Sequence, residues 1–272
     1  MIGGLSGIGV YFLSRSNDTE CKATLKAILK SLVKLSISPN NFYTTSKIIN
    51  TKKSNIRLDK FIDLGMSHGI SGPLALLFIS HKMNIKVPGS RKAISILANL
   101  LLKNALHYKN NLEWPAQLYR DRKVNNLIPI KRTAWCYGNP GIAVALWLAW
   151  STMGNYAYKD AAENAMKTVY KKSTIERNID SPNFCHGVSG LLLITMRFLN
   201  WTNERIFNEM AQKLVKQIMN LAIISEKKEI VNFKLIRKND LGVLEGKAGI
   251  LLALLSATTN KEPCYDRIFL LS

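Results

Sequence analysis

The sequence is short of acidic residues. Its 272 residues include 18 Asp and Glu against 38 Lys and Arg, a formal charge of +20. Cysteine is also scarce: four in a chain of this length are too few for a disulfide scaffold. The 16 glycines and 8 prolines show no short period, which excludes collagen-like and low-complexity classes. No apolar run approaches the ~20 residues a bilayer needs. The longest, around Gly141–Met153 and Val188–Leu199, read as buried helices. The opening MIGGLSGIGVYFLSRS has no basic stretch ahead of its apolar part, so it reads as no secretory signal. These absences point to a reducing cytoplasm, where thiols serve as metal ligands or nucleophiles. Hydrophobic residues, at 47%, are enough for a sizeable core.

A charge of this sign favours acidic partners. Most of the excess is dispersed lysine, with one ordered stripe: Lys22, Lys26, Lys30 and Lys34 repeat at spacing four, opposite an apolar stripe of Leu25, Ile28, Leu29, Leu32 and Val33. The plain reading is a solvated outer helix face, and the sharper one is docking on an anionic membrane or a partner. No zinc-finger, RNP-type or helix-turn-helix pattern accompanies the charge, so no nucleic acid is expected as partner.

What the chain does contain is a repeat. A Gly-x-x-Gly pair recurs as GGLSGIG (Gly4, Gly7), HGISGPL (Gly69, Gly72), YGNPGIA (Gly138, Gly141), HGVSGLL (Gly187, Gly190) and EGKAGIL (Gly246, Gly249). The glycines fit a tight loop leading into a helix, through special backbone angles and close backbone approach. The following segments, Ala75–Ile79, Val144–Trp150, Leu191–Leu199 and Leu251–Leu255, are apolar nearly all round and read as inner, fully buried helices. Amphipathic stretches at Lys22–Leu35, Arg91–Leu106, Tyr158–Lys171 and Glu204–Ala222 read as outer helices. Strand patterning is scarce, with a short hairpin arm expected at Glu229–Ile236. The polar stretches Asn40–Lys60 and Tyr108–Thr133 read as excursions. The expected fold is all-α: an α/α barrel, or toroid, with all GxxG loops at one end.

Chemistry-bearing residues sit on those loops: His68 in SHGISG, Cys136 in AWCYGNPG, and Cys185 with His186 in FCHGVSG. If the loops converge, so do these side chains. Two thiolates and an imidazole are a good zinc set, and three protein ligands leave a fourth position open, as in catalytic zinc sites. Cys21 and Cys264 read as small buried hydrophobes, and His81 and His107 as structural. Paired carboxylates, which a glycosidase-type α/α barrel would need, are absent from the motif loops.

The strings SHGISG, R-x-x-x-WCYGNPG, FCHGVSG and LEGKAGILLALL resemble the lanthionine synthetase C family, the cyclases of lanthipeptide biosynthesis, and the C-terminal EPCYDRIFLLS resembles that family's usual end. The resemblance spans essentially residues 1–272, read as a single domain. It implies an α/α barrel of seven helical hairpins, of which about five are present here. It implies zinc held by Cys136, Cys185 and His186, with His68, Arg132 and Tyr137 as catalytic residues. The implied reaction adds a peptide cysteine thiolate to dehydroalanine or dehydrobutyrine and closes a thioether ring. The implied substrate is a dehydrated precursor peptide. A dehydratase and a transporter are implied as partners in a membrane-associated complex, which adds the inner membrane face to the expected cytoplasmic location. The family usually carries earlier hairpins and an acidic residue ahead of the first loop. The chain is therefore expected to lack that N-terminal part and that aspartate, and to expose an apolar edge where the ring would close. A non-catalytic C-terminal fragment that retains zinc and binds peptide or a partner synthetase is the alternative.

Overall fold

The computed structural model describes residues 1–45, 60–108, 111–120, 127–224, 231–233, 236, 240–259 and 263–272. The described structure is mostly helical: α1 (Leu5–Ser14), α2 (Thr19–Ser36), α3 (Ser71–Lys82), α4 (Ser90–Lys103), α5 (Asn139–Met153), α6 (Tyr156–Lys171), α7 (Val188–Thr202), α8 (Arg205–Leu221) and α9 (Lys247–Thr258). Each odd-numbered helix starts in a GxxG loop. The odd helices pack in chain order, α1 on α3, α3 on α5, α5 on α7 and α7 on α9, and α1, α3, α5 and α7 each pack against the even helix that follows.

The residue patterns explain this layering. In α3 every residue from Ser71 to Ser80 is buried, and in α5 every residue from Asn139 to Ala149, so these helices are enclosed on all sides. The outer helices bury one stripe each. In α8 it is Phe207, Met210, Ala211, Leu214 and Ile218, the spacing of one helix face. In α2 the expected apolar stripe is buried, and Lys22, Lys26, Lys30 and Lys34 face solvent. The Asp18 carboxylate caps α2 by accepting from the Cys21 amide at 2.8 Å. Both α5 and α7 end in a left-handed residue, Gly154 and Asn203. No helix among the described residues is long and apolar enough to cross a membrane.

The repeated glycines are needed chiefly for close approach. A Cβ on the second glycine of each loop would fall on the carbonyl oxygen six residues earlier. The distances are 2.3 Å for Gly7 to Met1, 2.9 Å for Gly72 to Met66, 2.3 Å for Gly141 to Trp135, 2.1 Å for Gly190 to Phe184 and 1.9 Å for Gly249 to Val243. Among the motif glycines only Gly138 has a positive φ, at 106°. The special backbone angles expected for the whole set are thus confined to one loop. Gly190→Ala is expected to cost roughly 1–3 kcal/mol of stability, the range for overpacking, and a denaturant titration would read it as a lowered midpoint.

Strands too short to show alternation were missed in the sequence. The strands are β1 (Thr44–Thr45), β2 (Lys60–Asp63), β3 (Leu106–Tyr108), β4 (Asn111–Glu113), β5 (Gln117–Tyr119), β6 (Ala222–Ile224) and β7 (Val231–Phe233). An antiparallel sheet in the order β1-β2-β5 and a β3–β4 hairpin occupy parts of the two supposed excursions. Of the hairpin expected at Glu229–Ile236, β7 falls within that span but pairs with β6, which lies ahead of it; residues 229–230 and 234–235 lie outside the described residues.

Two expectations on burial are corrected. In α9, Leu251 and Leu255 are each 55% exposed, because that face meets no further helix among the described residues. On α1, Leu5, Ile8 and Tyr11 are likewise exposed, so both ends of the helix series carry the expected apolar edge. Cys264 is exposed and Cys21 half-buried, not small core residues. Cys21 falls on the solvent side of the first turn of α2, and Cys264 on a turn beside Pro263.

The C-terminal segment locks against the inner helices. Asp266 is fully buried and takes two hydrogen bonds from Arg197 of α7, at 2.5 and 2.7 Å. Arg197 also donates to the Pro263 carbonyl at 2.5 Å. The Phe269 ring stacks on Phe184 at 4.0 Å, and its carbonyl accepts from Trp135 Nε1 at 3.0 Å.

Candidate metal and catalytic site

The GxxG loops are tied together by backbone hydrogen bonds between equivalent residues. The residue two places before the first glycine is Ile2, Ser67, Cys136, Cys185 or Leu244. Each donates its amide to the carbonyl of its counterpart in the next loop: Ile2 to Ser67 at 2.7 Å, Ser67 to Cys136 at 3.4 Å, Cys136 to Cys185 at 3.2 Å and Cys185 to Leu244 at 2.8 Å. Residues far apart in sequence are thereby aligned by the main chain. The residues that follow them, His68, Tyr137, His186 and Glu245, share one position in the repeat.

Cys136 and Cys185 are both buried, on loops joined by the Cys136 amide to the Cys185 carbonyl. The Cys185 thiol holds Cys136 below the ordinary thiol pKa, helped by the charge of Arg132 and opposed by burial. The same contact, with burial and the charges of Cys136 and Glu245, pushes Cys185 up.

His186 is half-buried, with both ring nitrogens engaged. Nδ1 lies 3.2 Å from Glu245 Oε1 and Nε2 lies 3.1 Å from Asn183 Nδ2. Asn183 also donates to Glu245 Oε2 at 2.9 Å and accepts from the His186 amide at 3.2 Å. The ligand atoms of Cys185, His186 and Glu245 lie within 4.8 Å of one another, and this is the metal-capable group found among the described residues. Glu245 was not a candidate in the sequence. Its signal was available, since the Glu of LEGKAG stands in the repeat where His68 and His186 stand in theirs.

Of the three residues expected to be catalytic, His68 and Arg132 are exposed and Tyr137 is half-buried. The His68 and Tyr137 rings are 6.3 Å apart. The Tyr137 hydroxyl donates to Asp63 Oδ2 at 2.6 Å, and the Gly65 amide donates to Asp63 Oδ1 at 2.8 Å. Burial and the Asp63 carboxylate push the Tyr137 phenol far above its ordinary pKa. Asp63, His68 and Tyr137 line a cavity of about 470 Å³. Asp63 was also missed in the sequence: it ends β2, a strand too short to read, six residues ahead of its glycine.

Burial raises the Asp63 pKa above 3.8, and the Tyr137 and Gly65 bonds only partly offset that. The folded state therefore keeps a proton that the unfolded state has lost, and this group's contribution to stability falls as pH rises through that interval. Asp63→Asn is expected to remove this loss. Thermal midpoints of variant and parent should diverge in the variant's favour as pH rises from about 4 towards 7; parallel pH profiles would contradict the assignment.

The family model described as Lanthionine synthetase C-like protein matches residues 1–270. Nisin biosynthesis protein NisC of Lactococcus lactis subsp. lactis is 25% identical over 261 residues, covering 93% of this chain and 59% of that protein. The solved structure of nisin cyclase superposes with a TM-score of 0.78 at 23% identity, covering 98% of this chain and 65% of that one. The chain spans less than two thirds of the length of either relative.

Proposed function

The chain belongs to the lanthionine synthetase C-like family, and on that premise we propose that it is a zinc-dependent lanthipeptide cyclase. The observation that carries this reading is the alignment of Cys136, Cys185 and His186 on adjacent, hydrogen-bonded loops. Two neighbouring buried thiols and an imidazole already oriented by a carboxylate fit zinc, a borderline-soft ion that takes sulfur and nitrogen donors. Cys136, Cys185 and His186 would hold it. Glu245 would act through His186, fixing its tautomer and ring orientation. Bound zinc supplies a substrate cysteine held as thiolate at neutral pH.

The substrate is a dehydrated precursor peptide. The thiolate sulfur bonds to the β-carbon of dehydroalanine or dehydrobutyrine, and the displaced π pair moves onto the adjoining carbonyl as an enolate. A proton then returns to the α-carbon, so nothing leaves and the peptide mass is unchanged. Arg132 is exposed, and its charge already reaches Cys136, which suits it to stabilise the enolate. His68 faces the cavity and is the proton donor. Tyr137 is bound to Asp63 and holds its proton tightly, so it serves as a positioning group at the cavity wall.

The test is to incubate the zinc-loaded protein with a dehydrated, cysteine-containing precursor peptide and then alkylate. Loss of alkylatable thiol without a mass change is expected. Unchanged thiol content would overturn the proposal.

A further inference from the structure

A buried polar connection beside the candidate site takes no part in that mechanism. The segment 172–177, which follows α6, is closed on itself. The Ser173 amide donates to Glu176 Oε2 at 2.8 Å, and the Glu176 amide donates to Ser173 Oγ at 3.3 Å. Arg177 is buried; its amide donates to the Ser173 carbonyl at 3.0 Å and its Nε to the Lys172 carbonyl at 3.1 Å. Lys172 Nζ pairs with Glu113 of β4 at 3.0 Å, with both side chains mostly buried. The braced segment offers one carbonyl to the loop of Cys136. Thr133, itself buried, donates to the Arg177 carbonyl twice, through its amide at 3.0 Å and its hydroxyl at 2.9 Å. A carbonyl oxygen has two lone pairs and can accept both. The residue before Thr133 is Arg132, which is exposed. The Arg132 carbonyl packs against Gly138, where a Cβ would fall 2.1 Å from its oxygen. The main chain of residues 132–133 is thus held on both sides, and only the arginine side chain reaches solvent.

We propose that Thr133 is a positioning residue for Arg132, acting through its two hydrogen bonds to the Arg177 carbonyl. The proposal deepens the cyclase reading and rests on it. A guanidinium on a long, flexible side chain stabilises an enolate only when it is aimed at the place where the charge develops. A fixed main chain at residues 132–133 narrows the positions that side chain can take. The hydroxyl is the part of this clamp that depends on the side chain of residue 133. Valine keeps its shape and the amide bond and removes the hydroxyl, whereas serine keeps the hydroxyl.

The experiment is a double-mutant cycle on ring closure with a dehydrated precursor peptide, with zinc content and thermal midpoint measured for each protein. The proteins are the parent, Thr133→Val, Thr133→Ser, Arg132→Gln and the double variant Thr133→Val with Arg132→Gln. Thr133→Val is expected to lower kcat about 10- to 100-fold and to leave KM within about twofold, since a displaced Arg132 loses contact made only in the transition state. Thr133→Ser should return kcat to within about threefold of the parent. In the Arg132→Gln background the valine replacement should change kcat less than about twofold, because no guanidinium remains to be positioned. An equal fall in both backgrounds would assign Thr133 a merely structural role and overturn the proposal. A parent-like kcat in Thr133→Val, or no recovery in Thr133→Ser, would also overturn it. So would loss of zinc or of the folded state in Thr133→Val, since the clamp would then serve the fold and not Arg132. Two other outcomes would remove the ground beneath it and are distinct from these. A parent that closes no ring defeats the cyclase reading, and an Arg132→Gln variant that closes rings at the parent's rate defeats the role of Arg132.

Discussion

Cys136→Ala is expected to lose the metal and the activity together. The variant should retain less than about a tenth of the parent's zinc after dialysis, and ring closure should slow by at least about 100-fold, since removing a ligand costs more than the 10–100-fold typical of its supporting residues. The backbone of residue 136 makes the loop ladder through its amide and carbonyl, which alanine keeps. Loss of zinc with an unchanged circular dichroism spectrum would therefore report the thiol alone. Glu245→Gln keeps the shape and removes the charge beside His186 Nδ1, so a 10–100-fold weaker zinc affinity is expected there. Full zinc content in Cys136→Ala would refute the proposed ligand set.

Asp266→Ala is expected to destabilise the protein by about 3–5 kcal/mol, the cost of leaving one charge of a buried pair alone. Arg197 is 3% exposed and Asp266 not at all, so water cannot take over the lost bonds. Against the 5–15 kcal/mol of an ordinary domain this is a large share. The effect should reach beyond the pair. Asp266 holds down the segment whose Phe269 covers Phe184 and Trp135, the residues next to Cys185 and Cys136. The double replacement Arg197→Met with Asp266→Leu should recover much of the loss, because no charge is then stranded. Urea midpoints measure both, and a loss below about 1 kcal/mol for the single variant would mean that solvent reaches the pair.

The helices were legible because their signals are local. An all-apolar run such as the one in α5 leaves no solvent face, and an alternating stripe such as that of α8 leaves one. The GxxG period marked where each inner helix begins. His68, Cys136, Cys185 and His186 were recognisable because a rare residue type stood beside a repeated motif. Glu245 and Asp63 were not. Glutamate is common, so its equivalence to His186 shows only when the loops are superposed. Asp63 matters only because β2 places its carboxylate against a hydroxyl 74 residues later in the chain.

Local pattern and repeat alone determined the helix order, the inner and outer layers and the positions of the thiols and imidazoles. Tertiary structure decided the rest, because it depends on contacts between distant residues. Those contacts are the ladder that aligns Cys136 with Cys185, the carboxylates that orient Tyr137 and His186, and the burial of Arg197 with Asp266.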